Sequence, residues 1–394
     1  MNNSNTASNW PQIPIGKTGQ VLGGRQRSPH ATGSPQKYLR VANVFDGYID
    51  SSDVFEMPFS EEESKRFLLA PGDILLNEGQ SLELVGRSAI YRGDPPDCCF
   101  QNTLIRYRAN SDVLPEFAQY TFQNFLRLGT FAAIASQTTS IAHLGTGRFA
   151  ALPMPVPPLD EQRAIASALS DTDALLAKLD QLIAKKRDIK QAAMQELLTG
   201  RRRLPGFSDV WRTQKLRDGI SLLSGQHVLA EHCNTDEIGC PYITGPSDFQ
   251  DGKIQHSKFT TSPTTLCQAD DILITVKGSG VGTMVMSDGT YCISRQLMAI
   301  RVESDWCTQF IHQLLQQDAS IIGAAATGLI PGISRSDILN KEIRTPRAAE
   351  QTAIAAVLFD MDTEITALEA RQEKTRLIKQ GMMQELLSGR VRLI

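Results

Sequence analysis

EQRAIASALSDTDALLAKLDQLIAKKRDIKQAAMQELLTGRRRL, residues 161–204, returns at residues 350–393 as EQTAIAAVLFDMDTEITALEARQEKTRLIKQGMMQELLSGRVRL. The two copies align without a gap at a constant offset of 189 (Glu161 to Glu350), and roughly half of their positions are identical. A long internal repeat of this kind sets the architecture before any finer reading. In the second copy Ile354, Leu358, Met361, Ile365 and Leu368 follow a 4-3-4-3 spacing that lines one helical seam. Ile165, Leu169, Leu176, Leu179 and Ile183 hold the same register in the first copy, with Thr172 weakening one position. Good helix formers fill the intervening positions. Pro153, Pro155, Pro157 and Pro158 precede the first segment and Pro346 the second, while Gly200 and Gly389 stand where each helix should end. Each segment therefore predicts one helix of about 39 residues, roughly 58 Å long at ~1.5 Å per residue. Two exposed apolar stripes separated by a compact domain bury each other most simply as an antiparallel pair. The alternative is two independent amphipathic helices, each packed on its own domain.

At 394 residues the chain has room for two or three domains, and its 41% hydrophobic content suits real cores. The polar start MNNSNTASN lacks the apolar stretch of a signal peptide. The small-apolar run 321–330 is too short to span a bilayer. Seven cysteines without a C-x-x-C spacing point to free thiols in a reducing cytoplasm. A net charge of −3 argues against coating nucleic acid by bulk charge, yet it leaves sequence readout open, because base-edge contacts need only a local surface.

A fainter repeat fills the rest. Trp10, Ile15, Leu22 and Gly24 match Trp211, Leu216, Leu223 and Gly225 at an offset of 201. Asp46-Gly47-Tyr48-Ile49 resembles Asp251-Gly252-Lys253-Ile254, and Pro71-Gly72-Asp73-Ile74-Leu75-Leu76 resembles Ala269-Asp270-Asp271-Ile272-Leu273-Ile274. Gln101 and Ile105-Arg106 align with Gln296 and Ile300-Arg301, and Ile141, Leu144 and Phe149 with Ile330, Ile333 and Ile338. Short apolar runs predict strands at 39–44, 73–76, 88–91 and 104–107, and again at 242–244, 271–276, 283–286 and 298–302. Helices are expected at 115–128 and 305–317. The fold class is α/β: two mixed α/β domains, 1–156 and 205–345, alternate with two helical segments, 157–204 and 346–394. The stretch 202–211, with Pro205 and Gly206, links the halves.

These residues resemble the specificity subunit of type I restriction-modification systems. The shared pattern is W-x4-[IL], DG-[YK]-I, GDIL or DDIL, a proline-rich approach to Glu-Gln, and a long helix ending QELL-[ST]-G-R-x-R-L, all occurring twice over nearly the whole chain. The resemblance implies that each α/β domain is a target-recognition domain reading one half of a split DNA sequence. It also implies that the helices are the conserved spacers, which pair as an antiparallel coiled coil and dock two modification subunits. Those partners would carry S-adenosylmethionine-dependent adenine methylation, and restriction subunits would join for ATP- and Mg-dependent translocation and cleavage, leaving this cytoplasmic chain without a cofactor. The departure is Asp270 where the pattern has glycine, which puts the local turn in question. A spacer of ~58 Å exceeds the ~34–36 Å between adjacent half-sites on B-DNA. Unlike domains on like helices predict a non-palindromic target.

Other motifs carry less. Asp94-Pro95-Pro96-Asp97 looks like the D-P-P-[YFW] tetrapeptide of amino-methyltransferases, but its fourth residue is not aromatic, so a turn is expected. Gly278-Ser279-Gly280-Val281-Gly282 lacks dinucleotide and Walker spacing; it is a loop that brings backbone and Lys277 to DNA, or a plain hairpin connection. Asp53 with Glu63-Ser64-Lys65 fits a loose nuclease spacing that charged surface loops also produce. His227, His232, Cys233 and Cys240 lack zinc spacing, so no metal site is expected. No catalytic set emerges. For contacts to duplex DNA the candidates are Arg25, Gln26, Arg27, Asn77, Gln80, Arg87 and Gln101 in the first domain, and Gln226, Lys277, Ser279, Arg295 and Gln296 in the second, the residue types suited to base edges. For each of these a solvated polar side chain is the competing reading. Lys185-Lys186-Arg187 and Arg201-Arg202-Arg203 read as helix-face and helix-end charges. Competing functions are the specificity subunit of a type IIB-like enzyme and a coiled-coil scaffold that binds no DNA.

Overall fold

The computed structural model describes residues 10–26, 28, 32–138, 140–250, 252–278, 280–303, 305–317 and 332–394. The run 321–330 and the landmarks Asp251 and Ile330 lie outside these. The chain divides into two compact units, residues 1–180 with 370–394 and residues 181–369. Each unit holds one α/β domain, part of its own long helix and part of the helix from the other repeat.

Each unit is built on a four-stranded antiparallel sheet. In the first, β1 (Gly19–Gly23), β2 (Ile74–Asn77), β3 (Ser88–Ile90) and β4 (Leu104–Ala109) lie in the order β1-β4-β2-β3. In the second, β5 (Ile220–Ser224), β6 (Ile272–Thr275), β7 (Met284–Met286) and β8 (Leu297–Val302) repeat that order as β5-β8-β6-β7. Both central strands are buried on two faces, which explains their unbroken apolar runs. Ile74 and Leu76 pack with Phe117 and Phe122 of helix α1 (Pro115–Arg127), while Leu75 faces Tyr38, Leu39 and Phe100 of a second, smaller sheet. Ile272 and Ile274 pack likewise with Phe310 and Ile311, and Leu273 with Ile243 and Ile293.

The smaller sheets match as well. Ser34–Leu39 pairs antiparallel with Phe55–Phe59 and parallel with Cys99–Phe100, as Cys240–Ile243 does with Phe259–Thr260 and Tyr291–Ile293. The strand expected at 39–44 therefore ends at Leu39, and a 3-10 turn follows over Val41–Asn43. Asn43 causes it: its side chain accepts from the Arg40 amide at 3.0 Å, and such local capture competes with strand pairing. The turn before the DIL strand survives the loss of glycine. Asp270 takes φ +67° where Gly72 has +96°, and their amides make equivalent bonds, to Ser287 O and Tyr91 O.

Helices α2 (Leu159–Leu197, 39 residues) and α4 (Ala348–Leu387, 40 residues) pair antiparallel within each unit. In the first, Lys379 meets Asp173 at 2.5 Å and Thr172 Oγ1 lies 3.7 Å from Met382 Sδ. In the second, Lys186 meets Glu364 at 2.6 Å, Arg187 meets Glu369 at 2.5 Å, and Lys190 pairs with Asp362. Ile165, Leu169, Leu179, Ile183, Ile354, Leu358 and Ile365 of the seam are buried, and Leu176, Met361 and Leu368 half-buried. The seam is shared rather than exclusive, since Ile165 and Leu169 also join the domain core around Phe117, and Ile354 and Leu358 the core around Phe310. Among the described residues no helix is long and apolar enough to cross a membrane.

Candidate nucleic-acid interface

Strand register fixes which surface residues correspond between the units. Ile74 pairs with Tyr107 and Asn77 with Leu104, whereas Ile272 pairs with Ile300 and Thr275 with Leu297. Leu104 thus corresponds to Leu297, an offset of 193, two residues from the alignment that equates Gln101 with Gln296. Gln101 corresponds to Ser294, and Gln296 to Thr103. The corrected register aligns two ion pairs, each built on a buried aspartate. Asp73 accepts two bonds from Arg108, each 2.6 Å, and Asp271 two from Arg301, at 2.9 and 2.7 Å. These bonds raise the pKa of both guanidinium groups.

Gly24 and Gly225 complete the frame. A Cβ on Gly24 would lie 2.1 Å from Gln101 O, and one on Gly225 2.1 Å from Ser294 O, so the two segments touch backbone to backbone. The residues after the two glycines behave differently. Arg25 turns inward, 8% exposed, with Glu63 at 2.7 Å and the Phe59 ring at 5.0 Å. Its hydrogen bond holds the Glu63 carboxyl below the usual carboxylate range. Gln226, its counterpart, is exposed.

The structure redistributes the remaining first-unit candidates. Asn77 is fully buried, its amide 3.5 Å from Val44 O, so neither it nor Arg25 presents an edge to DNA in this conformation. Gln26 is exposed, and Gln101 is half-buried beside Arg25 in a parallel bridge. Half-buried Arg87 lies 4.7 Å over the Phe45 ring, which stacks on exposed Tyr48 at 4.9 Å. Gln80 joins a small sheet with Ile141–His143 and Ser136–Thr138. Arg27 and Ser279 lie outside the described residues.

In the second unit Arg295 and Gln296 are exposed together on the rim of a concavity of about 370 Å3, shared with His227, Tyr242, Thr244 and Lys258. Exposed Lys277 forms a bridge with Gly332, the counterpart of the Gly79–His143 pairing. Lys258 was missed by sequence reasoning because it stands in a stretch without a motif. Its strand partner Tyr242, whose amide donates to Lys258 O at 2.8 Å, supplies its position.

The other motifs become structural. Asp94-Pro95-Pro96-Asp97 is a turn, with Asp94 accepting from Ser51 Oγ at 2.5 Å and Asp97 at φ +51°. Glu63 closes a capping box on Ser60 and pairs with Arg25, while Asp53 pairs with Arg40, so the nuclease-like spacing resolves into two ion pairs. Among the described residues no group of three or more His, Cys, Asp or Glu could hold a metal ion.

The retained helix ends explain themselves as two matching clasps. Glu350, 2% exposed, accepts two bonds of 2.6 Å from Arg203, whose guanidinium lies 5.8 Å from the Trp211 ring centre. Glu161, also 2% exposed, meets Arg392 at 3.2 Å and the amide of Leu393 at 2.8 Å, with Arg392 5.3 Å from the Trp10 ring centre. Beside each glutamate, Gln162 and Gln351 tie the helix start to its domain. Gln162 bonds Leu114 N, Asp112 O and Pro157 O, and Gln351 bonds Cys307 N and Pro346 O, all at 2.8–2.9 Å.

The family model for the type I restriction modification DNA specificity domain matches twice, at residues 42–186 and 209–378. The chain is 24% identical over 371 residues to the putative type I restriction enzyme MjaX specificity subunit of Methanocaldococcus jannaschii, covering 90% of this chain and 87% of that protein. It is 22% identical over 217 residues to the EcoKI specificity subunit of Escherichia coli K12, covering 54% and 45%. The fold matches a solved chain of a type I R-M system at TM-score 0.67, with 19% identity, 98% of this chain and all of the other. The HsdS subunit from Thermoanaerobacter tengcongensis matches at 0.56, with 19% identity and 97% of each chain. With two matches that together span most of its length, this chain belongs to the type I restriction modification DNA specificity family.

Proposed function

We propose that each unit reads one half of an asymmetric, two-part duplex DNA sequence, and that the paired helices α2 and α4 set the gap between the halves and dock two modification subunits. Specificity subunits are the non-catalytic, DNA-recognising members of type I complexes. S-adenosylmethionine would serve the modification subunits, ATP and Mg the restriction subunits, and this chain would hold no cofactor and work in the cytoplasm. The exposed candidates Gln26, Gln226, Lys277, Arg295 and Gln296, with half-buried Gln80, Arg87 and Gln101, are the base- or phosphate-contacting set this reading favours.

The carrying observation is an internal contrast. The Trp-Arg-Glu clasps recur at equivalent residues, as does one Asp–Lys pair between the helices (Asp173 with Lys379, Asp362 with Lys190), whereas the positions after Gly24 and Gly225 differ in chemistry and exposure. Like helix ends fit like partners, and unlike surfaces fit unlike half-sites. Methylome sequencing of a host carrying this chain with its neighbouring modification gene tests the reading. One split, non-palindromic adenine-methylated motif is expected; absence of a new motif, or an undivided one, overturns it.

A further inference from the structure

The concavity in the second unit has a counterpart in the first, and comparing the two separates floor from rim. The floor is retained: Tyr242 corresponds to Tyr38, pairing with Cys292 as Tyr38 pairs with Cys99, and Ile243 corresponds to Leu39. The Ser294 amide bonds Ile243 O at 3.0 Å as the Gln101 amide bonds Leu39 O at 2.9 Å. Every rim position carried by this frame has changed. Thr244 stands for Arg40, Lys258 for Phe55, Arg295 for Asn102 and Gln296 for Thr103. In the first unit Arg40 lies 4.1 Å over the exposed Phe55 ring and pairs with Asp53 at 2.5 Å, so the place is covered. In the second, Thr244 and Lys258 leave it open, with a volume of about 370 Å3. Gly245 gives Gln296 its room, since a Cβ there would lie 2.5 Å from Gln296 Oε1.

We propose that this rim is where the second unit discriminates bases of its half-site, with Arg295 and Gln296 reading purine edges in the major groove and Lys258 holding a flanking phosphate. The inference rests on the DNA-reading assignment above. Arg is the bidentate donor for guanine O6 and N7, and Gln matches adenine N6 and N7. Lys258, a point charge on a flexible stem, suits phosphate rather than a base edge. Variation confined to the rim of a retained scaffold is what two readers of different sequences require.

The test is selection of a randomised duplex library by the full chain complexed with its modification subunits. The wild-type complex is expected to select a two-part motif. Arg295→Ala or Gln296→Ala should weaken discrimination at a single position of one half, roughly ten- to a hundredfold, leaving the other half unchanged. Lys258→Ala should keep the motif and lower the slope of log affinity against log salt by about 1. Unchanged motifs in both the Arg295 and Gln296 variants, or changes in the other half, overturn the proposal while leaving the DNA-reading assignment standing. No two-part motif from the wild type sinks both. Acetylation of Lys258 in the wild-type complex, with and without the selected duplex, needs no variant. Protection by DNA is expected, and equal labelling overturns the placement.

Discussion

At the scale of single residues, burial decides which member of each clasp matters more. Glu350 is 2% exposed while the Arg203 side chain is 25% exposed. Removing Arg203 strands a carboxylate in the interior, whereas neutralising Glu350 leaves a guanidinium that can turn to water. Arg203→Ala should therefore cost about 3 kcal/mol, and Glu350→Gln only about 1 kcal/mol. Urea titration of both variants measures the order, and a larger loss in the glutamine variant would sink the argument. Asp270 offers the opposite case. It holds φ +67° without glycine's freedom, exposed, one residue before buried Asp271. Asp270→Gly should raise stability by roughly 0.5–1 kcal/mol, because relief of left-handed strain outweighs the added freedom of the unfolded chain. A lower unfolding midpoint in the variant would refute that reading.

At the scale of elements, the two domain helices differ in one informative place. The second-unit helix α3 (Thr308–Gln317) carries His312 where α1 carries Gln119, which bonds Ser88 O at 2.9 Å. Burial, with Lys190 nearby, pushes the His312 imidazole down to about 4 from its ordinary 6.5. The unfolded chain therefore takes up this proton first. The contribution to stability is whole above the unfolded value and is lost as pH falls from about 6.5 toward 4. His312→Gln should flatten the fall in urea midpoint between neutral pH and about pH 5, and an equally steep fall would exclude His312 as its source. The helices themselves were legible in sequence because their seam repeats every seven residues and both ends carry fixed marks. The edge strands β1 and β5 were not, being short runs whose order depends on pairing with β4 and β8. The two-residue misalignment of Gln101 has the same origin, since only the register of β2 on β4 reveals that Arg108, not Arg106, answers Arg301. Among the candidate contacts, residue type alone could not tell Arg25 from Gln26, because Glu63, which draws Arg25 inward, is distant in sequence.

At the scale of the whole molecule, the duplicated clasp and the unlike rims divide the work of the chain. Under the proposed function, features common to both repeats would serve partners that are alike, and features that differ would serve a DNA sequence whose halves differ. On this reading the gap in the target is set by helix length, and it should respond to a change in that length. A heptad adds two helical turns and so preserves the seam, lengthening a helix by about 10.5 Å at ~1.5 Å per residue. Seven residues inserted within 176–183 of α2, with seven more at the facing stretch of α4 around Leu368, should widen the spacer of the methylated motif by about 3 base pairs at ~3.4 Å each. Both halves of the motif should stay as they are, since neither reading surface has been touched. Methylome sequencing of cells carrying the lengthened chain reads the spacer directly. A motif with its original gap would show that the helices hold partners without measuring DNA.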